Sequence, residues 1–131
     1  MTSRLVQFFA KLFSRQRDDA RNLYESACLI DDAGLDFRMR DGLLVPGFYW
    51  SEVTRIETYK LDLLTYDEVA LLFTTADGCF EILESQTGFK DCFAQLEQQF
   101  GLSPEWYFQV MEHAFETNHR VLYQKENIRS N

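Results

Sequence analysis

The chain has 131 residues, of which 46% are hydrophobic, and its formal net charge is −8. This length and composition favour one globular domain with a packed core, and they exclude a disordered chain or a disulfide-dependent fold. An acidic chain repels the phosphates of nucleic acids, so the charge excludes a nucleic-acid ligand and favours a basic protein partner.

Residues 1–23 predict an amphipathic helix and a linker, followed by a single domain over residues 24–131. The helix has one apolar stripe with i, i+3, i+4, i+7 spacing, formed by Leu5, Phe8, Phe9, Leu12 and Phe13. Basic residues without any acid accompany it over residues 1–17, namely Arg4, Lys11, Arg15 and Arg17. Several roles for the stripe stay open: packing on the acidic body, packing on a second copy in a homodimer, lying in a membrane surface, or targeting.

The three cysteines, Cys28, Cys79 and Cys92, are widely spaced and odd in number. This pattern predicts reduced core cysteines in a cytoplasmic protein. The first apolar stretch is interrupted by Gln7 and Lys11, which is untypical of a signal peptide. No window approaches the roughly eighteen consecutive apolar residues of a membrane span.

From residue 24 the pattern changes to short strands separated by turns. Strands are predicted over residues 28–30, 35–39, 43–50, 54–60, 69–75 and 79–84. Asp41-Gly42 and Asp77-Gly78 are typical of the tight turns between them. Pro46-Gly47 predicts a break in the third strand.

Helical spacing returns after residue 85. The first predicted helix begins near a Ser85 or Thr87 cap, ends at Gly101, and has an apolar face formed by Phe89, Cys92, Phe93, Leu96 and Phe100. Ser103-Pro104 predicts the start of a second helix with a stripe formed by Tyr107, Val110, Met111 and Ala114. Residues 121–123 fit either a strand or a helix. Trp50 and Trp106 are predicted in the core.

Strands followed by helices predict an α+β fold. We expect an antiparallel sheet or partial barrel of about five to six strands, with the N-terminal amphipathic helix and one or two C-terminal helices. In element order this outline is similar to pleckstrin-homology-like domains, although a fold never determines function.

The stretch from Trp50 to Phe73 carries the motif W-x-x-V-x-x-I followed by Y-K-x-D-L-x-T-x-D-E-V. It resembles small bacterial proteins that have no assigned activity, and Gly88-Phe89, Trp106 and Ala114–Asn118 extend the resemblance over about the last two thirds of the chain. The resemblance implies a bacterial cytosolic origin.

Polar and aromatic side chains are concentrated where two strands are joined near residues 59–68. A loop on a rigid sheet is a common place for binding residues. We therefore predict a partner-binding role for Tyr59, Lys60, Asp62, Tyr66, Asp67 and Glu68. The alternative is a solvated hairpin in which Lys60 pairs locally and Asp67 caps a turn.

Motifs of nucleophilic, phosphate-binding and zinc-dependent enzymes are absent from the sequence. Both histidines lie in the segment Glu112–His119. A metal site with two ligands would require Glu116 to pair with either His113 or His119. The favoured interpretation of this segment is a solvated helix face. The sequence predicts neither a cofactor nor a metal.

Together these features predict a non-enzymatic, cytoplasmic protein-binding module of the inhibitor or immunity type, which uses an acidic surface. Two alternatives stay open. One is a peripheral membrane module anchored by residues 1–17, and the other is a small metal-assisted enzyme.

Overall fold

The computed structural model describes residues 25–63, 66–112 and 118–126. The strands in these ranges are β1 (Ala27–Ile30), β2 (Gly34–Arg38), β3 (Leu44–Tyr49), β4 (Val53–Leu63), β5 (Tyr66–Thr75), β6 (Gly78–Leu83) and β7 (Arg120–Gln124). The helices are α1 (Asp91–Phe100) and α2 (Glu105–Val110). The predicted N-terminal helix lies outside the described residues.

The strands form two antiparallel sheets. One has the order β1-β2-β3, and the other has the order β6-β5-β4-β7. The α+β class with antiparallel sheets is therefore confirmed. In place of the expected single sheet or partial barrel of five to six strands, the described residues form seven strands in two sheets. Residues 121–123 belong to the additional strand, which pairs with β4.

A short 3-10 turn at Trp50–Glu52 carries the chain from the first sheet to the second. The Tyr49 amide donates to the Glu52 carboxylate across the turn at 2.8 Å. The Trp50 indole donates to the Asp31 carbonyl at 2.9 Å. The hydrogen bond from Trp50 anchors this turn to the β1–β2 connection and holds Trp50 in the core.

The break expected at Pro46-Gly47 is observed as an irregularity of the ladder, because the register of β2 and β3 shifts between the Leu35–Phe48 and Phe37–Val45 pairs. The strand β3 itself continues through both residues. Pro46 is tolerated because β3 is an edge strand of its sheet. At Gly47 the Leu35 carbonyl comes so close that a Cβ atom would lie 2.1 Å from its oxygen. The Gly47 amide donates to the Asp36 carboxylate at 2.9 Å, so its donor is satisfied.

The core lies between the two sheets and beneath the helices. Its centre is aromatic: the Phe48 ring lies 5.1 Å from both Phe73 and Phe80. Trp50 and Trp106 are both buried, as predicted. Cys28 and Cys92 are buried free thiols, whereas Cys79 is exposed, which corrects its expected place in the core. Burial raises the pKa of the Cys28 thiol to about 12.

Helix α1 is positioned by a close backbone contact with β1. The Cys28 amide donates to the Thr87 carbonyl at 2.7 Å. The next residue, Gly88, has a φ of 90° and approaches the Cys28 carbonyl so closely that a Cβ atom would lie 2.1 Å from its oxygen. A glycine is required here for both the dihedral angle and the contact. The contact directs Phe89 into the core at the start of the turn that leads into α1.

We expect Gly88→Ala to lower the free energy of unfolding by at least about 2 kcal/mol, because it adds a steric clash to an unfavourable dihedral angle. Gly42→Ala is the matched control, since Gly42 has a φ of 91° and nothing within 4 Å of the added atom. Urea denaturation of both variants separates the two contributions. Equal losses of stability in the two variants would show that the β1 contact is unimportant.

Candidate functional site

The six residues predicted as a partner-binding loop lie in strands, which corrects their expected place in a loop. Strand β4 contains Tyr59, Lys60 and Asp62. Strand β5 contains Tyr66, Asp67 and Glu68. The strands extend further than predicted because β4 and β5 pair as far as Leu63 and Tyr66. Their role in binding stays a prediction, and the burial of each side chain indicates which could take part.

Two of these side chains are charged and buried. Lys60 is only 1% exposed, and its Nζ lies 3.5 Å from Asp67 Oδ2 on the neighbouring strand. The buried Glu68 carboxylate accepts a hydrogen bond from the Ser85 amide at 2.7 Å. Charges this deep are retained only when they are paired. These side chains therefore hold the hairpin together, which agrees with the alternative of local pairing for Lys60.

The other members are more accessible. Tyr66 is 56% exposed at the end of β5. Tyr59 is half-buried, and its ring lies 6.2 Å from that of His119. The Asp62 backbone pairs with Asp67, and the Asp62 side chain lies outside the described residues. Among the five members whose side chains are described, Tyr66 is therefore the exposed one.

A groove of about 400 Å³ lies between the start of α1 and α2. We call it the aromatic groove, and it is lined by Glu84, Phe89, Lys90, Phe93, Pro104, Tyr107 and Phe108. Phe108 is 69% exposed, the highest value among the large hydrophobic residues that are described as exposed. A large apolar side chain exposed beside an apolar cavity is typical of an interaction site.

Four aromatic rings in contact form the wall of the groove. The Phe93 ring lies 6.1 Å from Phe89 and 5.4 Å from Tyr107, in edge-to-face geometry with both. The Tyr107 ring lies 5.5 Å from Phe108. Phe89 is buried, Phe93 and Tyr107 are half-buried, and Phe108 is exposed. The groove is therefore continuous with the hydrophobic core, which gives its wall a rigid base.

Glu84 holds α2 against the second sheet. One carboxylate oxygen accepts a hydrogen bond from the Val69 amide at 3.1 Å. The other accepts a short hydrogen bond from the Tyr107 hydroxyl. Burial, this hydrogen bond and the charge of Glu84 raise the pKa of Tyr107 to about 12. Both polar groups are committed to each other, so the groove offers a ligand mainly apolar surface.

The stretch of chain that forms the groove is rich in acidic residues, although Lys90 lines the groove itself. Lys90 is the only Lys or Arg between Lys60 and Arg120, and this stretch holds eleven Asp and Glu residues. Glu105 lies three residues before Phe108 on α2 and is exposed. Glu112 follows Phe108 by four residues and is also exposed. A basic ligand would be attracted to this side of the molecule.

Sequence reasoning missed the aromatic groove, although one signal pointed to it. Trp106, Tyr107 and Phe108 are consecutive, and consecutive residues on a helix are about 100° apart. Three such rings cannot all face one core. The predicted stripe included Tyr107 and Val110, but the structure buries Trp106 with Val110, leaves Tyr107 half-buried and turns Phe108 outward. Ala114 lies outside the described residues.

Only part of the segment that was considered as a metal site lies within the described residues. His119 Nε2 lies 2.7 Å from Glu57 Oε1, and this contact is the main reason why the pKa of the Glu57 carboxyl is lowered. His113 and Glu116 lie outside the described residues. Within residues 25–63, 66–112 and 118–126, no three His, Cys, Asp or Glu side chains are grouped to hold a metal ion. Neither helix in these ranges has the length and hydrophobicity that a membrane span requires.

The Lys60–Asp67 pair can be tested with a double-mutant cycle. Asp67→Leu leaves the buried ammonium group without this carboxylate, and we expect it to lower the free energy of unfolding by about 3 kcal/mol. Lys60→Met combined with Asp67→Leu should recover most of that loss, because both charges are removed. Urea denaturation of the two single variants and the double variant measures the coupling. Strictly additive losses would contradict the pairing.

The Tyr107–Glu84 hydrogen bond should make stability depend on pH in the alkaline range. The pKa of Tyr107 is raised from its ordinary value of 10, so the contribution of neutral Tyr107 is complete below pH 10. It is lost as the pH rises through about 12. We expect Tyr107→Phe to flatten this decline in denaturation experiments, whereas the control Tyr66→Phe retains it. An unchanged decline in Tyr107→Phe would contradict the assignment.

No protein-family model matches this chain, and neither a curated protein nor a solved structure matches it. The resemblance to small bacterial proteins and to the pleckstrin-homology-like outline therefore stays a prediction. The aromatic groove and the exposed carboxylates of Glu105 and Glu112 are the features that indicate a function.

Proposed function

We propose that this chain is a non-enzymatic protein-binding module whose aromatic groove takes an apolar segment of a basic partner. The observation that carries the proposal is Phe108, which is 69% exposed beside a groove of about 400 Å³. Interfaces are typically centred on aromatic anchors that lose their contact with water on binding. Phe108 and Tyr107 can act as such anchors.

The shape of the groove favours an amphipathic helix as the ligand. Such a helix places apolar side chains into a groove at i, i+3, i+4 and i+7 positions. The groove runs between α1 and α2 and rests on the core through Phe89, so it can receive these side chains without rearranging the fold. Apolar contacts would supply most of the affinity.

Charge favours a basic partner over other amphipathic ligands. The stretch between Lys60 and Arg120 is strongly acidic, and Glu105 and Glu112 are exposed near Phe108. Lys or Arg side chains on the polar face of the bound helix would be attracted to these carboxylates. Electrostatic attraction of this kind speeds association and weakens as salt is added. An inhibitor or immunity-type role would use the same attraction to occupy a basic surface on its target.

The proposal is tested with a synthetic amphipathic peptide of about 18 residues, which carries Leu and Phe on one face and Lys on the other. Fluorescence anisotropy measures its binding to the full chain, and a scrambled peptide of the same composition is the comparison. We expect binding that weakens with salt and falls at least about tenfold in Phe108→Ala.

Leu44→Ala is the matched control for Phe108→Ala, because Leu44 is a large hydrophobic residue that is 51% exposed and does not line the groove. It should retain the affinity of the natural chain. Equal binding of the scrambled peptide, or full affinity in Phe108→Ala, would overturn the proposal.

A further inference from the structure

We infer that the aromatic groove has an occupant within this chain, namely the N-terminal segment that carries Leu5, Phe8, Phe9, Leu12 and Phe13. An outside partner would then compete with this segment for the groove. The inference rests on the proposed function, because it assumes that the groove binds basic amphipathic helices. The two ideas nevertheless make separate measurable claims.

The position at which the chain joins the fold is the first argument. The described residues begin at Glu25, and the Ser26 carbonyl accepts a hydrogen bond from the Gln86 side chain at 3.1 Å. The Cys28 amide donates to the Thr87 carbonyl. Phe89, which lines the groove, follows Thr87 by two residues. The N-terminal segment therefore joins the fold at residues 86 and 87, which lie in the chain between Glu84 and Phe89 of the groove.

The length of chain before that point is sufficient. Eleven residues separate Phe13 from Glu25. They span about 16 Å as a helix and up to about 36 Å when extended, so the stripe can reach the groove in either form. Tethering also gives the segment an effective concentration in the millimolar range for a short linker, so a weak intrinsic affinity is enough to occupy the groove.

Complementary charge and polarity are the second argument. Residues 1–17 hold four basic residues and no acidic residue, whereas the groove lies in the most acidic part of the chain. The predicted stripe presents three Phe and two Leu residues, which need an apolar surface to cover them. The segment has the composition that the proposed function requires of a partner.

Photo-crosslinking of the full chain tests the inference. Phe108 is replaced by p-benzoylphenylalanine, which the exposure of this position should tolerate, and the crosslinked peptides are identified by mass spectrometry. We expect crosslinks to residues 5–13, and we expect none when the same photo-reactive residue replaces Leu44, which is exposed and does not line the groove. Mixing isotopically heavy and ordinary chains distinguishes contacts within one chain from contacts between copies.

Two double variants, which add the same number of negative charges, distinguish the effect of the apolar stripe from the effect of charge. Phe8→Glu with Phe9→Glu disrupts the stripe and should lower the crosslinking yield at least fivefold. Gln7→Glu with Ser14→Glu adds the same charge at two polar positions that lie opposite the stripe on a helical wheel, and it should reduce the yield far less. Equal reductions would overturn the inference. So would crosslinks that join heavy to ordinary chains, or a segment that reaches anionic phospholipid vesicles but not position 108.

The peptide assay distinguishes failure of this inference from failure of the proposed function. If the segment occupies the groove, Phe8→Glu with Phe9→Glu should bind the amphipathic peptide several-fold more tightly than the natural chain. If the peptide binds both chains equally and position 108 does not crosslink to residues 5–13, the inference fails while the proposed function stands. If the peptide binds neither chain, the proposed function itself fails.

Discussion

The backbone contact between β1 and the turn before α1 determines where the other parts of the molecule lie. The Cys28 amide donates to the Thr87 carbonyl, and only a glycine at position 88 allows the strand and the turn to approach this closely. From this point Phe89 enters the core, and α1 buries Cys92 and Leu96. Phe93 is then left at the edge, where it forms one wall of the aromatic groove.

The second wall depends on a different kind of interaction. Helix α2 has only six residues, which is too short to be stable without tertiary contacts. Burial of Trp106 and Val110 and the hydrogen bond from Tyr107 to Glu84 hold it in place. The polar groups of Glu84 and Tyr107 are thus used in building the groove. What remains for a ligand is mainly aromatic surface, with the exposed carboxylates of Glu105 and Glu112 close to Phe108 in the chain.

Much of the local structure followed from the sequence because it depends on neighbouring residues. The turns at Asp41-Gly42 and Asp77-Gly78, the end of α1 at Gly101 and the core positions of both Trp residues were all predicted and observed. The hairpin at residues 59–68 was misjudged because its residues are polar, which is typical of a loop. Pairing between Lys60 and Asp67 allows such residues to continue a strand into the interior, and this pairing cannot be recognised without the register of β4 and β5.

The sequence by itself determined the α+β class, the antiparallel strands and the uneven charge, because these depend on periodicity, turn residues and composition. Only the tertiary structure decided that residues 120–124 pair with β4, that the strands divide into two sheets, and that Phe93, Tyr107 and Phe108 form one groove. These features bring together residues that are far apart in the chain, and their contacts depend on how sheets and helices pack. Residue spacing along one segment carries no information about that packing.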